Sequence, residues 1–365
     1  MARVKVVDLH KNFDKTVAVD GVSFEVSDGE FVVLLGPSGC GKTTTLRCIA
    51  GLETPDKGEI YIGDRLVNDL PPKDRDVAMV FQSYALYPHM TVYDNLAFPL
   101  KMRKYAKEEI GKRVKEVAQM LRIDHLLNRK PRQLSGGEQQ RVALGRALVR
   151  NPKVWLMDEP LSNLDAKLRI YMRAELKKLQ KDLKITTIYV THDQAEAMAM
   201  ADRIAVMNKG KLLQYAPPHI IYDKPADVFV GGFIGAPPMN FIEASIVEHD
   251  EQVFLDAEIF RFSLNPELAK IIKNKATSDK VILGFRPEDI SIFMERRPEA
   301  LFQADLYVIE PMGSNIIVDL KVGERLLKAV LPPTVRLPPL GEKVWIYFPP
   351  ERFHIFDAKT EQAIA

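Results

Sequence analysis

The sequence predicts an α/β fold with a largely parallel sheet, followed by an all-β tail. The segment Phe31 to Leu35 is apolar on both faces, which is typical of a buried parallel strand. Amphipathic helices, such as residues 107–122, separate this strand from further apolar strands. Beyond a stretch rich in glycine and proline near Gly235, short alternating strands follow without long helices. We therefore expect an α/β domain over residues 1–235 and a β domain over residues 236–365.

Length and composition indicate an ordinary globular protein with two domains. The 365 residues exceed one ordinary core, and contents of 46% hydrophobic and 27% charged residues are unexceptional. A net charge of +2 gives no field that would favour nucleic acid, so we expect no nucleic-acid partner. The two cysteines, Cys40 and Cys48, cannot form a disulfide framework and indicate a reducing cytosol. With no signal peptide and no apolar run of ~18–20 residues, we expect any membrane role to act through a partner.

The segment "GPSGCGKT" fits the P-loop pattern and lies between a buried strand and a helix. Its glycines let backbone N–H groups turn toward a phosphate, which the N-terminus of the following helix also attracts. Lys42 would contact the β- and γ-phosphate oxygens of a bound nucleotide, and the Thr43 hydroxyl would be a ligand for Mg²⁺. The expected nucleotide-binding residues of this loop are Gly36, Pro37, Ser38, Gly39, Cys40, Gly41, Lys42, Thr43 and Thr44.

The segment "VWLMDE" supplies two carboxylates at the end of a buried strand. Because side chains alternate along a strand, Asp158 and Glu159 point in different directions. One carboxylate can hold Mg²⁺ while the other polarises a water molecule. The alternative is that both only cap the next helix.

A second Ser-Gly-Gly device lies in "LSGGEQQR". Ser135 can cap the following helix, while Gly136 and Gly137 leave its first N–H groups free for an anion. An isolated motif of this kind would favour only a helix cap. Here the P-loop, Gln82 after "MVF", this motif, "DEPLSNLD" and His192 after "IYVT" follow one another in a fixed order. This combination resembles the ATPase subunit of ABC transporters.

The resemblance explains why one chain would carry two phosphate-binding devices. In that family two ATPase subunits pair head to tail, and each signature loop closes on the ATP held by the other subunit. The fold implied is a P-loop NTPase domain of the ABC type with a helical subdomain at about residues 83–150. An OB-like (TOBE) regulatory domain follows it.

The resemblance assigns roles to five further positions. Phe13 matches the aromatic that stacks on adenine, although alone it could be a core residue. Gln82 matches the glutamine that senses Mg²⁺ and the attacking water, although a polar residue at a strand end is an alternative. Glu159 matches the catalytic base. His192 matches the histidine that contacts the γ-phosphate, where a structural role is the alternative. Asp165 lies in the loop that crosses the dimer interface, and it could equally be a helix N-cap.

Two details near these motifs lead to local expectations. Asp193 and Glu196 form an N-cap and N3 pair, so His192 should lie just outside a helix with its ring free. Glu138 occupies a position where many relatives have glutamine, which puts in doubt a neutral hydrogen bond there.

Longer segments, including "FQSYALYPHMTVYDNLAFPLK" and "FIGAPPMNF", resemble the importer ATPases for maltose, maltodextrin and related sugars or glycerol phosphates. This implies a homodimer at the cytoplasmic face of the membrane, with permease subunits as partners and a solute-binding protein as an indirect partner. Residues from Ser83 to about Leu121 would grip a cytoplasmic helix of the permease. The tail would be a pair of OB-like barrels with a regulatory and dimerising role. Its segments starting at Val281 and Val344 resemble each other, through either duplication or chance.

Other classes of protein fit less well. An ATPase of the SMC/Rad50 type would separate the two motifs by long coiled coils, and no heptad tract is present. A translation factor with tandem ATPase halves would carry two P-loops. A non-catalytic module that binds sugar or nucleic acid through the tail would need a concentrated basic or aromatic face there. The sequence does not identify the transported solute.

Overall fold

The computed structural model describes residues 2–250 and 252–365, and the chain divides between His219 and Ile220 into two compact units. In the described residues, no helix combines the length and the apolar character that a membrane span requires.

The described residues of the amino-terminal unit form two sheets and six α-helices, with a seventh at its end. Its strands are β1 (Val4–Phe13), β2 (Thr16–Val26), β3 (Phe31–Leu35), β4 (Lys57–Ile62), β5 (Arg65–Leu66), β6 (Val77–Val80), β7 (Val154–Asp158), β8 (Thr186–Thr191), β9 (Arg203–Asn208) and β10 (Lys211–Ala216). Its helices are α1 (Lys42–Ala50), α2 (Val92–Met102), α3 (Lys107–Met120), α4 (Gly136–Leu148), α5 (Ala166–Leu183), α6 (Gln194–Met200) and α7 (Pro218–Asp223), which spans the division.

A six-stranded sheet of order β10-β9-β3-β8-β7-β6 forms the centre of this unit. All its pairs are parallel except β10 with β9, which confirms the expected α/β class. β3 has the predicted bounds, all five of its residues are buried, and strands pair with it on both sides. The carboxyl ends of β3, β6, β7 and β8 meet at one edge of this sheet, where the predicted site residues follow. A separate antiparallel sheet has the order β2-β1-β4-β5.

Helices α2, α3 and α4 occupy the expected helical region. Gly145 lies where α4 approaches the helices beside it. A β-carbon there would lie 2.7 Å from a methyl of Leu96 and 3.0 Å from one of Leu121, so a larger residue would force the packed side chains apart.

The carboxyl-terminal unit is made mainly of antiparallel strands. It comprises α8 (Val228–Phe233), β11 (Asn240–His249), β12 (Gln252–Asp256), β13 (Arg261–Ser263), α9 (Pro266–Lys275), β14 (Lys280–Phe285), β15 (Ser291–Phe293), β16 (Phe302–Pro311), β17 (Ile316–Val322), β18 (Arg325–Leu331), β19 (Lys343–Tyr347) and β20 (His354–Asp357). Helix α9 is longer than expected in a strand-rich tail, and Asn265 caps it by accepting from the Leu268 N–H at 2.8 Å.

The two similar tail segments occupy equivalent places. The described residues of the unit form two five-stranded sheets, of order β13-β12-β11-β14-β20 and β18-β17-β16-β19-β15. Each similar segment begins in one sheet (β14, β19), turns through a 3₁₀ helix and ends in the other sheet (β15, β20). At the centre, Phe285 and Phe348 stack with centroids 4.2 Å apart. This repeated order favours duplication, with exchanged strands, over chance similarity.

The division lies before the boundary that we expected near Gly235. The intervening residues belong to the carboxyl-terminal unit because its buried Arg286 donates hydrogen bonds to three of their carbonyl oxygens. These belong to Tyr222 (2.6 Å), Gly231 (3.1 Å) and Ile234. The glycine and proline pattern therefore lies inside the second compact unit, and a domain boundary at Gly235 stays a prediction.

Candidate functional site

The P-loop runs from the end of β3 to the start of α1 and is closely packed. A β-carbon at Gly36 would clash with the Met207 carbonyl oxygen, and one at Gly41 would clash with that of Ala18. Gly41 also has a φ of 101°, a left-handed conformation that favours glycine. Both glycines are therefore required for the loop to form at all.

Lys42 is directed back along its own loop. Its side chain is buried, and Nζ donates hydrogen bonds of 2.8 Å to the carbonyl oxygens of Gly36 and Pro37. The neighbouring Cys40 thiol is also buried, which raises its pKa although the Lys42 charge opposes the shift. The Lys42 ammonium group is thus held at the loop, in a position to contact an anionic ligand bound there.

Thr43 and Asp158 come together from α1 and β7. The Thr43 hydroxyl donates to Asp158 Oδ1 at 2.8 Å. Burial raises the pKa of Asp158, while the Thr43 hydrogen bond acts in the opposite direction. A hydroxyl and a carboxylate are the oxygen ligands that Mg²⁺ takes, so this pair fits a magnesium ion.

Glu159 follows directly and contacts two other predicted residues. Its Oε2 accepts from Gln82 Nε2 at 3.4 Å, and its Oε1 lies 3.2 Å from His192 Nδ1. Glu159 has a φ of 44°, and its N–H donates to the Val190 carbonyl oxygen at 3.0 Å. A left-handed non-glycine residue stores backbone strain, which is common at functional sites. Gln82 here contacts Glu159 rather than the Thr43–Asp158 pair.

Of the two expectations around His192, the N-cap at Asp193 is confirmed and the free histidine ring is wrong. Asp193 caps α6 by accepting from the N–H groups of Ala195 (2.8 Å) and Glu196 (3.2 Å). The Glu196 side chain does not return to the cap; it is buried and accepts from the hydroxyls of Tyr189 and Thr191, both at 2.8 Å. Burial raises the pKa of this carboxyl.

Contrary to expectation, the ring of His192 is not free. It is directed toward Glu159 instead, because Thr191 and the capped helix fix the chain on both sides of it. The side chain remains 55% exposed, so a ligand could still reach it.

The Ser-Gly-Gly motif begins α4, and Ser135 is its N-cap. Glu138 completes a capping box, since its Oε2 accepts from the Ser135 N–H at 2.7 Å and from the hydroxyl at 2.9 Å. The backbone N–H of Ser135 is the main cause of the lowered pKa of Glu138. We did not expect this role for Glu138, although the Ser-x-x-Glu pattern was sufficient to predict it. Within the described residues, no hydrogen bond joins Ser135, Gly136 or Gly137 to the P-loop.

Phe13 and Asp165 occupy exposed positions. Phe13 is 43% exposed at the end of β1, with Lys11 Nζ 5.1 Å from the centroid of its ring, so the core alternative is wrong. Asp165 caps α5 by accepting from the Leu168 N–H at 3.0 Å. The N-cap alternative is therefore correct as a description of its contacts in one subunit.

Comparisons of this sequence with known protein families and proteins agree with a nucleotide-binding site at these residues. The ABC transporter family model matches residues 19–162, the MalK OB fold domain matches 235–290 and the TOBE domain matches 283–356. Over the full length of both chains, the sequence is 56% identical to the trehalose/maltose import ATP-binding protein MalK of Thermococcus litoralis. The chain belongs to the ATP-binding proteins of ABC transporters. It is consequently a nucleotide-binding ATPase with a P-loop domain and a carboxyl-terminal OB-like region.

Other relatives and solved structures agree with this assignment. The chain is 48% identical to the oligosaccharides import ATP-binding protein MsmX of Bacillus subtilis, again over all of both chains. A dimeric structure of the ATP-binding cassette MJ0796 bound to ADP and Pi has a TM-score of 0.53 and 36% identity, covering 59% of this chain and 98% of that one. The cbiO1 protein of Clostridium perfringens, part of the transporter complex cbiONQ, has a TM-score of 0.56 and 30% identity, covering 60% and 89%.

Proposed function

We propose that this chain is the ATP-hydrolysing subunit of a carbohydrate importer, working as a head-to-tail homodimer at the cytoplasmic face of the membrane. The observation that carries the proposal is the position of Glu159, whose carboxylate lies between Gln82 and His192 and directly follows the Asp158 that contacts Thr43. Four separated segments of the sequence meet there, as hydrolysis of a bound phosphate would require.

The P-loop residues would bind the triphosphate. The Lys42 ammonium, now held by two carbonyl oxygens, would exchange these partners for phosphate oxygens at little cost because both are hydrogen-bond acceptors. Thr43 and Asp158 would hold Mg²⁺, which when bound neutralises charge on the phosphates. Phe13, exposed at the end of its strand, would stack on the adenine.

Glu159 would accept the proton of the attacking water. Gln82 and His192 already orient its two carboxylate oxygens, so the base is preorganised before the water binds. Gln82 would orient the same water through its amide. His192, more than half exposed, would contact the γ-phosphate.

Ser135, Gly136 and Gly137 would act on the ATP of the other subunit. They begin an α-helix of 13 residues, whose N-terminus attracts an anion. None of the three residues forms a hydrogen bond to the P-loop of its own chain among the described residues. We therefore infer that the phosphate they contact belongs to ATP bound by a second copy of the chain. Asp165 would lie in the loop that crosses between the subunits.

A cavity of about 770 Å³ offers a docking place for the permease. Apolar side chains from the central sheet region and from α2 line it, including Leu52 (46% exposed) and Met102 (64% exposed). Arg103, Arg146 and Arg150 lie at the same cavity. This chemistry fits an amphipathic cytoplasmic helix that presents apolar side chains and a carboxylate.

Met102→Glu tests the docking place. It should abolish co-purification with the permease, because it places a carboxylate in the apolar part of the cavity, and leave the ATPase activity of the isolated subunit intact. Met120→Glu is the matched control, since Met120 is 48% exposed at the end of α3 and lies outside this cavity. Equal binding by both variants would exclude the cavity as the permease site.

The solute is identified by transport, since selectivity should reside in the permease and the solute-binding protein. The full complex, reconstituted in vesicles, is supplied with maltose, trehalose, maltodextrins and glycerol 3-phosphate. We expect ATP-dependent uptake of a sugar. Uptake of glycerol 3-phosphate alone would favour the alternative solute class, and no uptake with any solute would contradict the proposal.

A further inference from the structure

Arg169 joins two segments that both border Glu159. It lies in the first turns of α5, and Nη2 donates to the carbonyl oxygens of Leu164 at 3.0 Å and Ser162 at 3.4 Å. Its Nη1 lies 3.5 Å from Asp193 Oδ2. One guanidinium therefore holds the loop of residues 162–165, which we name the crossing loop, and the residue that follows His192.

Each end of this link is fixed to the hydrolytic site. In the crossing loop, Ser162 donates to the Glu159 carbonyl oxygen through its N–H (3.2 Å) and its hydroxyl (2.9 Å). At the other end, the Asp193 N–H donates to the Thr191 hydroxyl at 3.0 Å. A displacement of the crossing loop would thus reach both neighbours of the reacting water, Glu159 and His192.

The guanidinium suits this role because it is planar and its donors are arranged in a rigid fork. The side chains of Arg169 and Asp193 are 33% and 28% exposed, so solvent screens their attraction only in part. Arg169 Nε is buried without a hydrogen-bond partner among the described residues. An unsatisfied buried donor is costly, which argues that the arrangement is kept for a reason other than stability.

We propose that Arg169 is a positioning residue that makes the orientation of Glu159 and His192 depend on the crossing loop. This rests on the proposed function, in which a second subunit contacts that loop. When the partner holds the loop, Arg169 fixes Asp193 and therefore the histidine beside it. Without the partner the loop and the histidine move together, and hydrolysis is slow.

Arg169→Gln in the full-length chain tests the proposal. The turnover number, kcat, should fall about tenfold while KM for ATP stays within twofold, because no ATP-binding contact is removed. In a Glu159→Gln background, Arg169→Gln should leave ATP-dependent dimerisation unchanged. This result would separate an effect on hydrolysis from an effect on closing of the dimer. Arg169→Lys keeps the charge but not the fork and should give an intermediate kcat. Arg173→Gln is the matched control, one turn further along α5 and without an ion pair in the described chain.

A second variant isolates the ion pair. Asp193→Ser keeps a good N-cap for α6 and removes the carboxylate that faces Arg169. Its loss of kcat should not add to that of Arg169→Gln, since both variants remove the ion pair between Arg169 and Asp193. Additive losses, an unchanged kcat in Arg169→Gln, or loss of dimerisation together with kcat would each overturn the inference. Failure of the Glu159→Gln protein itself to dimerise with ATP would instead refute the proposed function.

Discussion

Glu159→Gln is the substitution that separates ATP binding from hydrolysis most cleanly. The amide has the same size as the carboxylate, and its oxygen can still accept from Gln82 Nε2, which now lies 3.4 Å from the carboxylate. The amide nitrogen then faces His192 Nδ1, which lies 3.2 Å from the carboxylate oxygen that it replaces. Neither Lys42 nor the Thr43–Asp158 pair is touched, so ATP should bind as before.

The expected loss follows from the one function removed. An amide cannot accept the proton of water, and the loss of a general base lowers the rate by roughly 10²–10⁴-fold. At 1.36 kcal/mol for each factor of ten, this equals about 3–5 kcal/mol of transition-state stabilisation. Because the closed dimer is then not consumed by hydrolysis, the variant should accumulate as an ATP-dependent dimer.

The assay combines phosphate release with size measurement in the presence and absence of ATP. Asp158→Asn is the contrasting variant, since it removes the carboxylate that contacts Thr43 and should weaken binding of Mg²⁺ and ATP as well as turnover. A Glu159→Gln protein that releases phosphate within tenfold of the unaltered chain would refute the assignment of the base.

Three further predictions concern the paired subunits, the second unit and acid stability. Mixing Lys42→Ala with Ser135→Arg should restore part of the ATPase activity, because a mixed dimer has one intact site; an activity equal to the mean of the two variants would place the signature in cis. A chain ending at His219 should still hydrolyse ATP, but be monomeric without nucleotide while the full chain is dimeric; a full-length monomer by size measurement would show that the second unit is no tether. The lowered folded-state pKa of Glu138 contributes stability above the unfolded pKa of about 4.3, and this is lost as the pH falls through the folded value. Glu138→Gln should therefore reduce the loss of melting temperature between pH 7 and a pH well below 4, and an unchanged loss would contradict the capping role.

Local patterns in the sequence were sufficient for the α/β class, the P-loop and the bounds of β3. A buried parallel strand must be apolar on both faces, and a phosphate-binding loop needs glycine at its closely packed positions. Both requirements are visible in a few consecutive residues of the sequence. The same reasoning found the caps at Ser135 and Asp193, because a cap depends on residues within one helical turn.

The ABC resemblance named the residues of the proposed hydrolytic site, but only the tertiary structure decided how they contact one another. Glu159 meets Gln82 and His192 through three separate strands, and Arg169 joins the crossing loop to Asp193. The boundary at His219 was likewise decided by Arg286, which hydrogen-bonds to a segment more than fifty residues earlier. Such contacts depend on the order in which strands pair in a sheet, and no local periodicity carries that order. The sequence by itself determined which nucleotide-binding and acid–base residues this protein carries. The order of the strands in the sheet decided which of these side chains contact one another.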